Sequence, residues 1–274
     1  MSRRVRVGSD PGMATAQDVA YPPGFDYTRG SPHLRHAELR LRIERSLIDE
    51  VRRIRADQGH CRTLEVGAGH GSFTSVLRDA GAEVTVTEMS AASAAQLRTR
   101  FASDRDVAII DDEDGMWAFR SRESFDLVVT ISVLHHIPDY MAAVARYMAL
   151  TAPGGSFVTW QDPQWYPRQP RTALVLSRAA YLAWRVFQGD LSKGLATRVR
   201  RVRGVLDEAN VSDMAEYHVV RQGVDDEGLG ALLRANYSEV FAVRYWSTQS
   251  AALQRLGRSL GLGGTFAFIA RGRR

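Results

Sequence analysis

The run Leu64-Glu65-Val66-Gly67-Ala68-Gly69-His70-Gly71 constrains this chain more than any other segment. An apolar strand that breaks into three alternating glycines has to turn sharply into the next helix, and glycine leaves that backbone open to a ligand. The run therefore predicts a nucleotide-type cofactor site between a strand over 63–66 and a helix starting at Ser72. A dinucleotide fingerprint carries glycines at the first, third and sixth positions of the turn, the sixth for close helix packing. Here the sixth position is Ser72, and Gly71 falls one residue early. No Gly-Lys-Ser/Thr follows, so the loop is not built to hold a triphosphate.

Around this turn the chain alternates strand and helix. The patterning predicts strands over 63–66, 83–87, 107–110, 125–131 and 156–160, with helices over 72–79, 91–101 and 140–150 between them. Such alternation requires a parallel sheet covered by helices on both faces, with right-handed crossovers. Upstream, Ser31-Pro32 reads as an N-cap and first helical position. Leu39, Ile43, Leu47, Val51 and Ile54 then form a stripe at helical spacing, which predicts one long helix to about Arg55. Residues 1–30 read as an aromatic arm or lid, 31–162 as the α/β core and 163–225 as a helical cap insertion. Residues 226–274 return to the sheet as two strands flanking a helix around 251–260. A content of 45% hydrophobic and 24% charged residues suits one globular domain.

At the end of the second strand stands Glu88, at the distance beyond Gly67 where doubly wound folds place the acid that bonds ribose hydroxyls. The third strand ends in Asp111-Asp112-Glu113-Asp114, and the fourth runs through Phe125-Asp126-Leu127-Val128-Val129 to His135-His136-Ile137-Pro138. Ala152-Pro153-Gly154-Gly155 precedes the fifth. Together these stretches resemble class I S-adenosylmethionine (SAM) dependent methyltransferases in order and spacing. The resemblance implies a Rossmann-like sheet of seven strands, mostly parallel with the last antiparallel. It also implies SAM as cofactor, with S-adenosylhomocysteine as product. By that resemblance the cofactor lies against Glu65, Gly67, Ala68, Gly69 and Gly71, against Glu88 and Met89, and against Asp112, Glu113 and Ile131. Glu65 would face the cationic methionyl end and Asp112 the adenine amine.

Methyl transfer is an in-line displacement in which the protein aligns the partners and excludes water. His135 and His136 stand where the fourth strand meets the cofactor; either could take a proton, or one could merely pack or cap the next helix. Tyr21 is the third catalytic candidate. Tyr21 and Phe25 of the arm, with Trp160, Trp165, Tyr166 and Tyr181 around the insertion, are the candidate substrate-binding residues. An aromatic, weakly basic pocket suits an aromatic or isoprenoid acceptor, since aromatic faces stabilise a carbocation. The arm and the Gln161–Pro167 run look like actinomycete C-methyltransferases of the teleocidin type. That likeness implies methylation of a prenyl alkene on an indole lactam, followed by cyclisation. O- or N-methylation of an apolar natural product is the alternative, and a nicotinamide oxidoreductase the more distant one.

Other features exclude classes of function. With 36 Lys and Arg against 31 Asp and Glu, the net charge of +5 is spread out, and no nucleic-acid partner is expected. Arg198-Val199-Arg200-Arg201-Val202-Arg203 reads as a solvated helix face. Cys61 is the only cysteine and reads as a packed small residue, which suits a reducing compartment. No metal site is expected, His33 and His36 reading as helix-surface histidines. No segment has the length of a signal or a membrane span, so a cytoplasmic protein is expected. An aromatic arm able to dock on a neighbour suggests a homo-oligomer.

Overall fold

The stripe Leu39, Ile43, Leu47, Val51 and Ile54 is buried along helix α2 (Ala37–Gln58). The structure, a computed structural model, describes residues 31–187 and 222–274. Helix α2 stops at Gly59, whose left-handed φ of +83° lets its N–H bond back to the Arg55 carbonyl at 2.8 Å. Its start departs from the expected single helix. A short helix α1 (Pro32–Arg35) is separated from α2 by His36, which is extended, and the Ser31 side chain makes no capping bond. The break is held from a distance, since His36 Nε2 lies 2.8 Å from the Thr248 carbonyl oxygen.

Seven strands form one sheet: β1 (Arg62–Val66), β2 (Glu83–Glu88), β3 (Val107–Asp111), β4 (Phe125–Ile131), β5 (Thr151–Pro163), β6 (Tyr237–Tyr245) and β7 (Thr265–Arg273). Their order is β3-β2-β1-β4-β5-β7-β6. Pairings among β1 to β5 are parallel, and β7 runs antiparallel to both β5 and β6. The sheet is thus the expected one, mostly parallel with its last strand reversed. Strand β4 is buried at every position, which explains its continuous apolar run in place of alternation.

One apolar cluster lies under α2, α3 (Ser72–Asp79) and α4 (Ala91–Arg100), and joins Leu47, Val51, Leu77, Leu97 and Val129. On the opposite face Phe125, Val128, Val144, Met148, Leu229 and Leu233 pack under α6 (Tyr140–Ala149) and α8 (Asp226–Asn236). Two short or peripheral helices, α5 (Trp117–Arg120) and α7 (Arg171–Phe187), and the late α9 (Ala251–Ser259) complete the described α-helices. Helix α8 was not legible in the sequence, because Gly228 and Gly230 lower its intrinsic propensity. Tertiary structure demands one of them: a Cβ at Gly230 would come within 3.1 Å of the Phe268 ring. Strand β5 also runs beyond the expected Trp160, through a bulge between Trp160 and Asp162 with Gln161 at φ +69°.

Among the described residues, no helix is long and apolar enough to cross a membrane. Leu47 is fully buried and Leu41 is 44% exposed on the same helix. Leu47→Ala should cost about 2–5 kcal/mol in urea unfolding, whereas Leu41→Ala should stay within about 0.5 kcal/mol of the wild type.

Candidate active site

The carboxyl ends of β1 to β4 open onto one cleft. Its floor is the turn after β1, where Gly67, Gly69 and Gly71 have φ of +66°, +56° and +75°. The Gly67 N–H is tied to the Thr87 carbonyl at 2.8 Å, and a Cβ on Gly67 would lie 2.9 Å from a methyl of Val133. Gly67, Ala68 and Gly69 line the cleft; Gly71 does not. Gly71 has the other task that glycine performs in such turns, since a Cβ there would meet Leu97 and Phe101 at 2.7 Å. The close packing reserved for the sixth position of a dinucleotide turn is supplied here by Gly71, one residue early.

Three carboxylates follow the strand order across the cleft. Asp112, just past β3, accepts from the Trp117 N–H at 2.7 Å. Glu88, at the end of β2, accepts from the N–H groups of Gly69 at 2.8 Å and Ser90 at 2.9 Å. Glu65, within β1, accepts from the Thr74 hydroxyl at 2.5 Å. Burial pushes the Asp112 carboxyl up to about 6, against the pull of the Trp117 N–H. Burial pushes Glu65 up to about 7, with the nearby Glu88 charge adding to the rise. Met89 and Ile131 also line the cleft. Glu113 is solvent-exposed and lies outside it, because the turn that buries Asp112 carries the next side chain outward. Past Ile131, Ser132 adopts φ +61°, a conformation that non-glycine residues seldom take and that often marks functional sites.

The two adjacent histidines part company in the 3-10 turn Leu134–His136. His136 borders the cleft. His135 is buried behind it, with Nδ1 2.8 Å from Asp162 Oδ1, and its ring centroid lies 4.0 Å from that of His136. Asp162 accepts in addition from the His135 N–H at 3.1 Å and the Thr159 hydroxyl at 3.0 Å. Burial lowers the basicity of His135 and raises the carboxyl of Asp162. His135 is therefore a neutral buttress for its neighbour and not a base facing a ligand, which corrects one of the two catalytic alternatives.

The structure moves other expected residues out of the cleft. Trp160 is 2% exposed and packs on the α2 side, its ring 5.7 Å from Tyr245 and its Nε1 donating to Ser46 at 3.3 Å. It is a core residue, because its side chain follows the strand's alternation to the face covered by α2. Trp165 and Tyr166 are half-buried away from the cleft, with the Arg168 guanidinium 4.8 Å from the Trp165 ring centroid. Tyr21 and Phe25, and the side chain of Tyr181, lie outside the described residues. Cys61 is buried, and burial pushes its thiol up to about 11, as fits a packing residue.

His33 reverses its expected place. It is 6% exposed, borders the cleft and stacks on Phe73 at 6.0 Å between centroids. Burial holds its imidazole down to about 4, so it is neutral. Phe73 and Tyr147 also line the cleft without having been singled out. Nothing in the local pattern marks them, since both occupy ordinary apolar helix positions. Among the described residues, no three His, Cys, Asp or Glu side chains are grouped to hold a metal.

Residues 64–157 match the family described as a methyltransferase domain. The polyketide synthase–nonribosomal peptide synthetase ACE1 of Pyricularia oryzae is 34% identical over 38% of this chain and 3% of its own length. The ubiquinone biosynthesis O-methyltransferase of Paracidovorax citrulli is 32% identical over 34% of this chain and 40% of its own. The chain thus spans less than half the length of the curated relatives it matches. The N-methyltransferase NodS of Bradyrhizobium japonicum, solved with S-adenosylhomocysteine, superposes with a TM-score of 0.52 at 16% identity, over 97% of this chain and 99% of that one. The sheet is thus the Rossmann-like sheet of the methyltransferase fold, and the matched stretch from Leu64 to Phe157 carries the strand ends that form the cleft.

Because Glu65 titrates near 4.5 when free and about 7 when folded, the folded state keeps a proton that the unfolded chain has already lost between those values. Stability attributable to this group therefore falls as pH rises from about 4.5 to 7. Glu65→Gln keeps an acceptor for Thr74 and should be more stable than the wild type at pH 8, with the gap closing at pH 4.5. Thermal unfolding at the two pH values measures it.

Proposed function

We propose that this protein is a SAM-dependent methyltransferase acting on an apolar small molecule. The observation that carries this reading is the row Asp112, Glu88 and Glu65 at the ends of three adjacent strands, above a turn whose glycines admit a ligand backbone-close. Asp112 suits an adenine amine, Glu88 the ribose hydroxyls and Glu65 a cationic methionyl end. The acids also disfavour a pyrophosphate, which separates this site from a dinucleotide enzyme. When bound, SAM supplies an electrophilic methyl group on a sulfonium. The chain's residues hold the donor over β1 and β4, exclude water and present the acceptor in line.

The acceptor we infer is an aromatic or isoprenoid natural product, methylated at an alkene carbon. An alkene that gains a methyl group leaves a cation on its neighbouring carbon, which aromatic faces stabilise; a prenylated indole whose ring then captures the cation fits that chemistry. The aromatic residues Tyr21 and Phe25 of the sequence's first thirty positions support this reading. A second reading, O- or N-methylation, is favoured by His136 at the cleft wall, where an imidazole could take the nucleophile's proton. One matched relative is itself named an O-methyltransferase. We also propose that residues 1–30 close over the acceptor and mediate homo-oligomer contact.

Titration calorimetry should show binding of SAM and S-adenosylhomocysteine but not NADH, and Glu88→Ala should weaken S-adenosylhomocysteine at least about tenfold. Binding of NADH alone would overturn the methyltransferase reading. Methyl-labelled SAM incubated with phenols, indoles and their prenylated derivatives, with the label located by NMR, distinguishes carbon from oxygen or nitrogen as the acceptor atom.

A further inference from the structure

Strands β3, β2, β1 and β4 lie side by side in that order, and three spacings of about 4.8 Å carry the cleft roughly 14 Å from Asp112 to the residues after β4. A SAM whose adenine meets Asp112 and whose ribose meets Glu88 must extend its methionyl end over β1 and β4. That end is a zwitterion. Glu65 is the acid suited to its ammonium, but its carboxylate finds no Lys or Arg among the described residues that line the cleft. Neutral donors have to serve instead.

His33 stands at that end. It borders the cleft, stacks on Phe73 in the first turn after the glycine loop, and interacts electrostatically with His135 after β4. It is more than nine-tenths buried, yet its Nδ1 has no hydrogen-bond partner among the described residues. Buried polar atoms are rarely left unpaired, and one that borders a cleft is placed to meet what binds there. We propose that His33 is a cofactor-positioning residue whose Nδ1–H donates to the methionyl carboxylate of SAM, an inference that rests on the cofactor reading above. Burial keeps the imidazole uncharged, so it acts as a directional donor and not as a counter-ion. The break at His36 is what turns helix α1 so that this ring reaches the cleft.

The test is calorimetry on the full chain with two probes, S-adenosylhomocysteine and 5′-methylthioadenosine, which keeps the adenosyl group and sulfur but lacks the amino acid. His33→Phe preserves the stack on Phe73 and removes the nitrogen; His33→Asn restores an amide donor near the Nδ1 position. His33→Phe should weaken S-adenosylhomocysteine about tenfold while leaving 5′-methylthioadenosine within about twofold, and His33→Asn should recover most of the loss. Equal loss for both probes would make the ring structural, and loss for neither would remove it from the carboxylate; either result overturns the proposal and leaves the cofactor reading intact. Wild-type protein that binds neither probe overturns the cofactor reading, and the proposal with it.

Discussion

The pairing of β1 with β4, from Thr63 opposite Leu127 to Val66 opposite Thr130, is the constraint on which the site depends. Strand β1 also pairs in parallel with β2 on its other edge, so the chain winds outward in one direction through β2 and β3 and in the other through β4 and β5. Connections leaving β1 and β4 must therefore diverge, and a crevice opens above their carboxyl ends. Two fully buried apolar faces make this arrangement costly to alter. The glycine turn, Glu65 and the His135–His136 turn all take their positions from that one reversal.

Electrostatically the crevice is one-sided. Glu65, Glu88 and Asp112 border it, and no Lys or Arg does so among the described residues. Desolvation raises Glu65 and Asp112, and the neighbouring Glu88 charge raises Glu65 further. A cationic ligand relieves part of that cost, whereas an anionic one compounds it. The imidazoles complement the acids: His33 and His135 are held neutral by burial and can hydrogen-bond without adding charge.

Much of this was legible because the relevant signals are local. The stripe of α2, the glycine turn and Glu88 at a fixed distance past it each follow from periodicity or spacing over a few tens of residues. The losses are all non-local. His33 faces the cleft because His36 breaks the helix, and the break is tied to Thr248, 212 positions away. His135 and His136 are equivalent as neighbours in the sequence; Asp162, carried into the interior by the bulge at Gln161, decides which of them turns inward. Trp160 stands at the expected end of its strand, but the face it takes depends on where α2 packs.

The sequence by itself determined the sheet class, the position of the cofactor turn and the acids in strand order, since strand alternation, glycine conformation and crossover length are properties of short stretches of chain. Only the tertiary structure decided which side chains line the cleft and which buttress it. A residue's face, its burial and its partner are set by elements distant in the chain, and burial in turn decides whether Glu65, Asp112 and the histidines carry charge.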